Sequence, residues 1–141
     1  MEVVLQTTLR QDALTATPSG FELRVGLPWI RSMPLSSLAG LAVAVDGAPL
    51  EAGELAVVLG ARHVPADSLQ AESGWWFVQD RLVLAGGREL RGGMHAVTVD
   101  LQMLVPYLQA GPGTPLVLPI QLEARLELDH APVPSVSRDV A

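Results

Sequence analysis

A strict period-two alternation between Leu116 and Asp129 constrains this chain more than any other feature. Leu116, Leu118, Ile120, Leu122, Ala124, Leu126 and Leu128 share one parity, while Gln121, Glu123, Arg125, Glu127 and Asp129 share the other. Successive side chains of an extended strand point to opposite faces, so the pattern specifies a long strand with one buried face and one wet face. A helix would scatter both sets around its circumference. Met94 to Val105 repeats the pattern, with Val97, Val99, Leu101, Met103 and Val105 on one face and Thr98, Asp100 and Gln102 on the other. Gly111, Pro112, Gly113 and Pro115 punctuate the stretch between them, which predicts an antiparallel pair.

The same alternation marks Phe21 to Leu27 and Leu41 to Val45, and Asp46-Gly47 after the latter is a hairpin turn, since both residues tolerate positive φ. Val3 to Leu9, Leu55 to Leu59, Trp75 to Val78 and Arg81 to Ala85 complete a set of about eight strands. Helical turns are predicted only at Pro34 to Leu41 and Pro65 to Ala71, each one or two turns long. Thirteen Gly and 11 Pro in 141 residues leave little room for long helices. The expected fold is all-β: an antiparallel β-sandwich of two sheets with minimal helix, one domain over 1–129, and a frayed tail over 130–141 where the alternation stops. A chain of this length buries about two-thirds of its unfolded surface, enough for one self-sufficient core.

Composition removes whole classes of chemistry. All nine basic residues are Arg, so neither a lysine Schiff base nor a Walker lysine is possible. The absence of Cys excludes disulfides, thiolate metal sites and a cysteine nucleophile. A net charge of −6 with scattered Arg opposes binding to a phosphate backbone, so no nucleic-acid partner is expected. The opening run MEVVLQTTLRQD has neither a basic region nor a sustained apolar one, and Leu38 to Val45 falls far short of the roughly 20 residues that cross a bilayer. The expected setting is the cytoplasm, without a membrane partner.

His63, His95 and His130 stand 32 and 35 residues apart, and none has a ligand partner at metal-site spacing, so no metal is expected on this chain. His95 falls on the apolar parity of its strand and reads as a satisfied core or edge histidine rather than a ligand. His63 is placed in a loop. Glu123 and Glu127 share a strand face, as a glycosidase pair would, but alternating charge around Arg125 is also how a strand face stays solvated, and that reading is preferred. No catalytic residue is expected.

Two segments stand apart. In Leu27 to Ser36 a strand runs into Pro28, Trp29, Ile30, Arg31, Met33 and Pro34; in Leu104 to Leu108 another reaches Pro106 and Tyr107. Trp, Met, Arg and Tyr are the types enriched at interface cores, and aromatic residues are only 4% of the chain.

These segments carry a resemblance. The run GFELRVGLPWIRSMPLSSLAGLAVAVDG, then HVPADSLQ, GWWFVQDRLVL, the glycine-punctuated Gly86 to Val99 stretch and the Val105-Pro106-Tyr107 end resemble the small β subunit of bacterial C-glycoside deglycosidases, from about Gly20 to Asp129. Trp29-Ile30 departs from a family loop richer in Tyr, at a place that bears on substrate preference. The resemblance implies a β-sandwich subunit paired with a larger α subunit, a sugar-isomerase-like TIM barrel holding a divalent metal, typically manganese. It implies cleavage of the carbon–carbon bond between a 3-keto sugar and an aromatic aglycone at a joint site. This chain would then be inactive alone. Pro28, Trp29, Ile30, Arg31, Met33, Pro106 and Tyr107 are its expected contacts with substrate or partner. The competing expectation is a stand-alone carbohydrate-binding β-sandwich with an exposed Trp platform.

Overall fold

The computed structural model describes residues 9–27, 32–77, 80–130 and 138–140, with backbone alone at 52, 105–110, 115 and 138–140. In chain order the strands are β1 (Leu14–Thr17), β2 (Gly20–Gly26), β3 (Met33–Pro34), β4 (Leu38–Val45), β5 (Ala48–Pro49), β6 (Leu55–Leu59), β7 (Arg62–Pro65), β8 (Trp75–Trp76), β9 (Asp80–Gly86), β10 (Met94–Gly111), β11 (Thr114–Glu127) and β12 (Arg138–Val140). Helix is confined to 3-10 turns at Leu35–Ser37, Ala52–Glu54 and Ala66–Ala71. The all-β expectation holds. The expected Trp75 to Val78 strand is present as the short β8, and Val3 to Leu9 lies, apart from Leu9, outside the described residues; the strands beyond the expected set are β1, β3, β5, β7 and β12, of two to four residues each and too short to show a period.

One sheet runs β1-β2-β9-β6-β7 and the other β11-β10-β4-β5, with β3 and β8 forming a small separate ribbon. Every pairing is antiparallel except β12, which adds in parallel along Asp80 to Leu82 of β9. Residues 138–140 are thus paired, where the sequence suggested a frayed end. Strand β9 lies at the middle of its sheet, and Asp80, Arg81, Leu82, Val83 and Leu84 are all buried in succession.

The two faces meet in one core. Phe21, Leu23, Val25, Val57, Leu82 and Leu84 of one sheet pack with Val43, Val45, Val97, Val99, Leu101 and Leu122 of the other. Burying a side chain of this size contributes about 2 kcal/mol, so the two inner faces hold the sheets together. Along β11, Ile120, Leu122 and Leu126 point inward while Gln121, Glu123, Arg125 and Glu127 are exposed. The charged row is a solvated face, as its alternation indicated. Strand β11 is also a sheet edge, and it carries Pro115 and Pro119.

The Asp46-Gly47 turn is the mirror-image type, with φ of 52° and 79° at its two central residues. Strand β10 does not stop at Val105. It runs on to Gly111 with register shifts after Val105 and Gln109. Pro106 has no N–H to give the ladder, which accounts for a break in register there without an end to the strand.

Candidate functional site

The sandwich has two unlike ends. At the Asp46 end, polar side chains tie the sheets to each other. Arg88 donates to both Glu54 carboxylate oxygens, at 2.9 and 3.3 Å, and to the Ala48 and Pro49 carbonyls, each at 3.1 Å. It thereby links β5 in one sheet to the turn that opens β6 in the other. The Asp129 carboxylate accepts from the Ala16 N–H at 2.8 Å, and its own N–H donates to the Leu14 carbonyl at 2.9 Å, joining the end of β11 to β1.

His95 belongs to the same end. It is buried, with Nδ1 at 2.6 Å from an Asp46 carboxylate oxygen and Nε2 at 2.6 Å from the Arg91 carbonyl. Both neighbours are acceptors, so the ring is satisfied on both sides only when both nitrogens carry protons. The Arg91 carbonyl, followed by the Asp46 carboxylate, raises the His95 pKa above its ordinary 6.5. In return His95, with the Ala96 N–H, lowers the Asp46 pKa below its ordinary 3.8. His95 is therefore a structural clasp, in keeping with its apolar parity. His63 is exposed and paired with Val58 in β7, not in a loop as its neighbouring Arg62 and Pro65 suggested.

The opposite end is aromatic. Here β2 finishes at Gly26, β9 begins at Asp80 and β4 begins at Leu38, opposite Met103 of β10. The β3–β8 ribbon closes this end, pairing Met33 with Trp76 and Pro34 with Trp75. Trp76 and Met33 point inward and are each 1% exposed, while Trp75 and Phe77 are 48% and 50% exposed. The Trp76 indole N–H donates to the Asp80 carbonyl at 3.1 Å. The Asp80 N–H donates to the Phe77 carbonyl at 2.9 Å, and the Leu35 N–H to the Gly74 carbonyl at 3.0 Å, so the ribbon is held at both ends. Next to Asp80 in the chain, buried Arg81 donates to buried Asp12 at 2.9 Å and fastens the segment before β1 to the start of β9.

The sequence-based interface set distributes as follows. Pro28, Trp29, Ile30 and Arg31 lie outside the described residues. Their flanks, buried Leu27 and Ser32 with Met33, both belong to the aromatic end. Met33 is a core side chain, and any influence it has on a contact surface passes through the ribbon above it. Pro106 and Tyr107 lie within β10, in the stretch where the register shifts, and their side chains lie outside the described residues. The described flanks of the first segment and the backbone of β10 just before the second lie toward the same end, since Leu38, which follows the 3-10 turn at Leu35–Ser37, pairs with Met103.

Among the described residues, two grooves lie elsewhere. One, of about 330 Å³, lies on the outer face of the four-stranded sheet, lined by Gly40, Asp100, Gln102, Pro119 and Gln121 among others. The second, of about 190 Å³, is walled by Leu41, Leu50, Glu51, Leu55, Ala66 and Asp67, where β4 meets the Ala66–Ala71 turn. Neither is lined by an aromatic ring. Among the described residues no three His, Asp or Glu side chains converge as a metal cage would require, and no helix is long and apolar enough to cross a membrane.

Residues 1–107 match the family model for the C-glycoside deglycosidase beta subunit. The chain belongs to that family. It is 32% identical over 120 residues to the 3'-dehydrocarminate deglycosidase beta subunit of a Microbacterium species, covering 84% of this chain and 90% of the relative. It is 32% identical over 108 residues to the C-glycoside deglycosidase beta subunit of Microbacterium trichothecenolyticum, covering 75% and 79%. A third relative, from Arthrobacter globiformis, is 35% identical over 89 residues, covering 61% of this chain and 68% of the relative. The relatives are subunits of a deglycosidase, so this deglycosidase β subunit is one part of an enzyme assembly and has a partner α subunit.

The sequence places Trp75 and Phe77 in a strand and in one of the segments that carry the family resemblance; the structure adds that both are half-exposed. Their i, i+2 spacing in GWWFV carried the information that they share a face, but not which face points outward.

Proposed function

We propose that this chain is the accessory subunit of a cytoplasmic C-glycoside deglycosidase that cleaves the carbon–carbon bond between a 3-keto sugar and an aromatic aglycone. The family match over residues 1–107 carries the reading, and a relative whose name specifies a 3'-dehydro glycoside as its substrate supports it.

The chemistry is coherent for a lyase. A ketone at C3 acidifies the C2 proton, which a general base removes. The electron pair forms the C1–C2 double bond as the C1–aryl bond breaks, and the departing aryl carbon takes a proton. In this reading the larger subunit is a sugar-isomerase-like TIM barrel that supplies the base and holds a divalent metal, manganese, whose Lewis acidity favours enolate formation. The small subunit contributes walls and exclusion of water, which strengthen every charge interaction inside the closed site. Pro28, Trp29, Ile30, Arg31, Pro106 and Tyr107 are its contact residues, steadied by Met33 from within.

A stand-alone sugar-binding module is less well supported. Such modules stack a sugar on an aromatic platform beside polar groups, and among the described residues the two grooves with polar walls have no ring while Trp75 and Phe77 lie outside them.

The test is to assay the purified chain, its larger subunit and their mixture on a 3-keto glucosyl flavone with manganese present. Only the mixture should turn over, and Trp29→Ala should lower activity or assembly by about tenfold. Turnover by the small chain alone, or full activity of the larger subunit without it, ends the proposal.

A further inference from the structure

Strand β9 is bordered unevenly. On one side β2 pairs with it from Gly86 down to Arg81. On the other, β6 covers only Gly86 to Val83, because Leu59 already pairs with Arg62 of β7 across a turn with Gly60 at φ 62°. Asp80, Arg81 and Leu82 are nevertheless buried, and a buried strand edge needs hydrogen-bond partners. Strand β12 supplies that border. It lies parallel to β9, with Arg138 opposite Asp80, Asp139 opposite Arg81 and Val140 opposite Leu82. A cation thus opposes an anion, an anion opposes a cation, and an apolar residue opposes an apolar one. A run of three residues is too short for a face pattern, so its position is specified by these three pairings.

We propose that the start of β9 is a strand-addition site selective for a basic, an acidic and an apolar residue in that order, and that residues 138–140 of the same chain occupy it as a strap that steadies the aromatic end. The register carries the selectivity. A slip of one position sets Asp139 against Asp80 in one direction and Arg138 against Arg81 in the other, and like charges opposed across a sheet are destabilising. Parallel pairing is the weaker kind per residue, so over three residues the charges decide whether and where β12 seats. What the strap steadies follows from Asp80. Its carbonyl accepts the Trp76 indole N–H and its own N–H donates to the Phe77 carbonyl, so the first residue of the site also holds the β3–β8 ribbon. Arg81, the second, lies opposite Gly26 at the end of β2 and is bonded to Asp12. Seating β12 therefore braces the ribbon, the exit of β2 and the segment before β1 through one short stretch of backbone.

The experiment compares the full chain with Arg138→Asp, Arg138→Lys and a form ending at Ser137. Arg125→Glu, on the exposed row of β11, controls for the change in net charge. NMR relaxation reads the order of the 138–140 backbone, and hydrogen exchange reads the Trp76 indole N–H, with the Val99 amide of β10 as a reference in the core. The native chain and Arg138→Lys should show order parameters near about 0.85 at 138–140, and Arg138→Asp should fall below about 0.6. The Trp76 indole should exchange at least about fivefold faster in Arg138→Asp and in the form ending at Ser137, with Val99 unchanged and Arg125→Glu like the native chain. Native residues 138–140 that are already disordered overturn the proposal, as does an Arg138→Asp chain that keeps native order, since the ladder alone would then hold the strand. Indole exchange that ignores loss of the strap, or that rises equally with Val99, overturns the steadying role. Order that is lost on dilution, with a dimer in sedimentation, places a second copy's strand in the site and overturns the occupant. Should the form ending at Ser137 fail to fold, the full-length Arg138 variants decide the matter.

Discussion

The two ends of the sandwich are closed by different physics. The Asp46 end relies on many modest polar ties: Arg88 across the sheets, Asp129 to β1, and His95 between Asp46 and Arg91. The aromatic end relies on one large buried ring, Trp76, under a two-residue ribbon, with the Arg81–Asp12 pair at the start of β9. Distributed ties tolerate the loss of one member, whereas a single buried ring does not. In the ribbon the next side chain, Trp75, points to the opposite face and is half-exposed.

Trp76→Ala should show the contrast most strongly. Removing a fully buried indole opens a cavity and deletes its hydrogen bond to the Asp80 carbonyl, at a cost of about 4 kcal/mol in urea unfolding. Arg88→Ala tests the other end. Its hydrogen bonds are partly solvated and share their work with Asp129 and His95, so about 1 kcal/mol is expected. If Arg88→Ala proves as costly as Trp76→Ala, the description of the Asp46 end as distributed is wrong.

The smallest effect is a pH dependence confined to the Asp46 end. The folded chain raises the His95 pKa, so the stabilisation is fully present below its ordinary 6.5 and is lost as pH rises through the raised folded value. The thermal midpoint of the native chain should fall over that interval, and His95→Gln should flatten the fall. Asp46 behaves oppositely, since its pKa is lowered. Its contribution holds above the ordinary 3.8 and disappears as pH falls through the lower folded value. A native chain whose midpoint is flat across the His95 interval would show that the clasp is not charged in the folded state.

What could be read in advance follows the reach of each determinant. The face assignment of β11, the β10–β11 pairing and the Asp46-Gly47 turn depend on residues adjacent in sequence, and each was legible. His95 was legible as a core histidine from its parity, but its partners were not, because Asp46 lies 49 positions away. The same distance hides Arg88 with Ala48 and Asp129 with Ala16, separated by 40 and 113 positions. Strand β7 escaped notice because four residues ending in Pro look like a loop until β6 lies beside them. The family resemblance located the Trp29 and Tyr107 segments. Only the fold shows that Met33 faces inward while Trp75 and Phe77 face out.

Strand β11 is the outer border of its sheet, 14 residues long, and a border of that length invites cross-β recruitment by any extended peptide. Pro115 and Pro119 offer no amide hydrogen to an incoming strand, and Glu123, Arg125 and Glu127 surround its approach with charge. The backbone of this border is thereby a poor template for an added strand, and recognition of a partner is left to side chains.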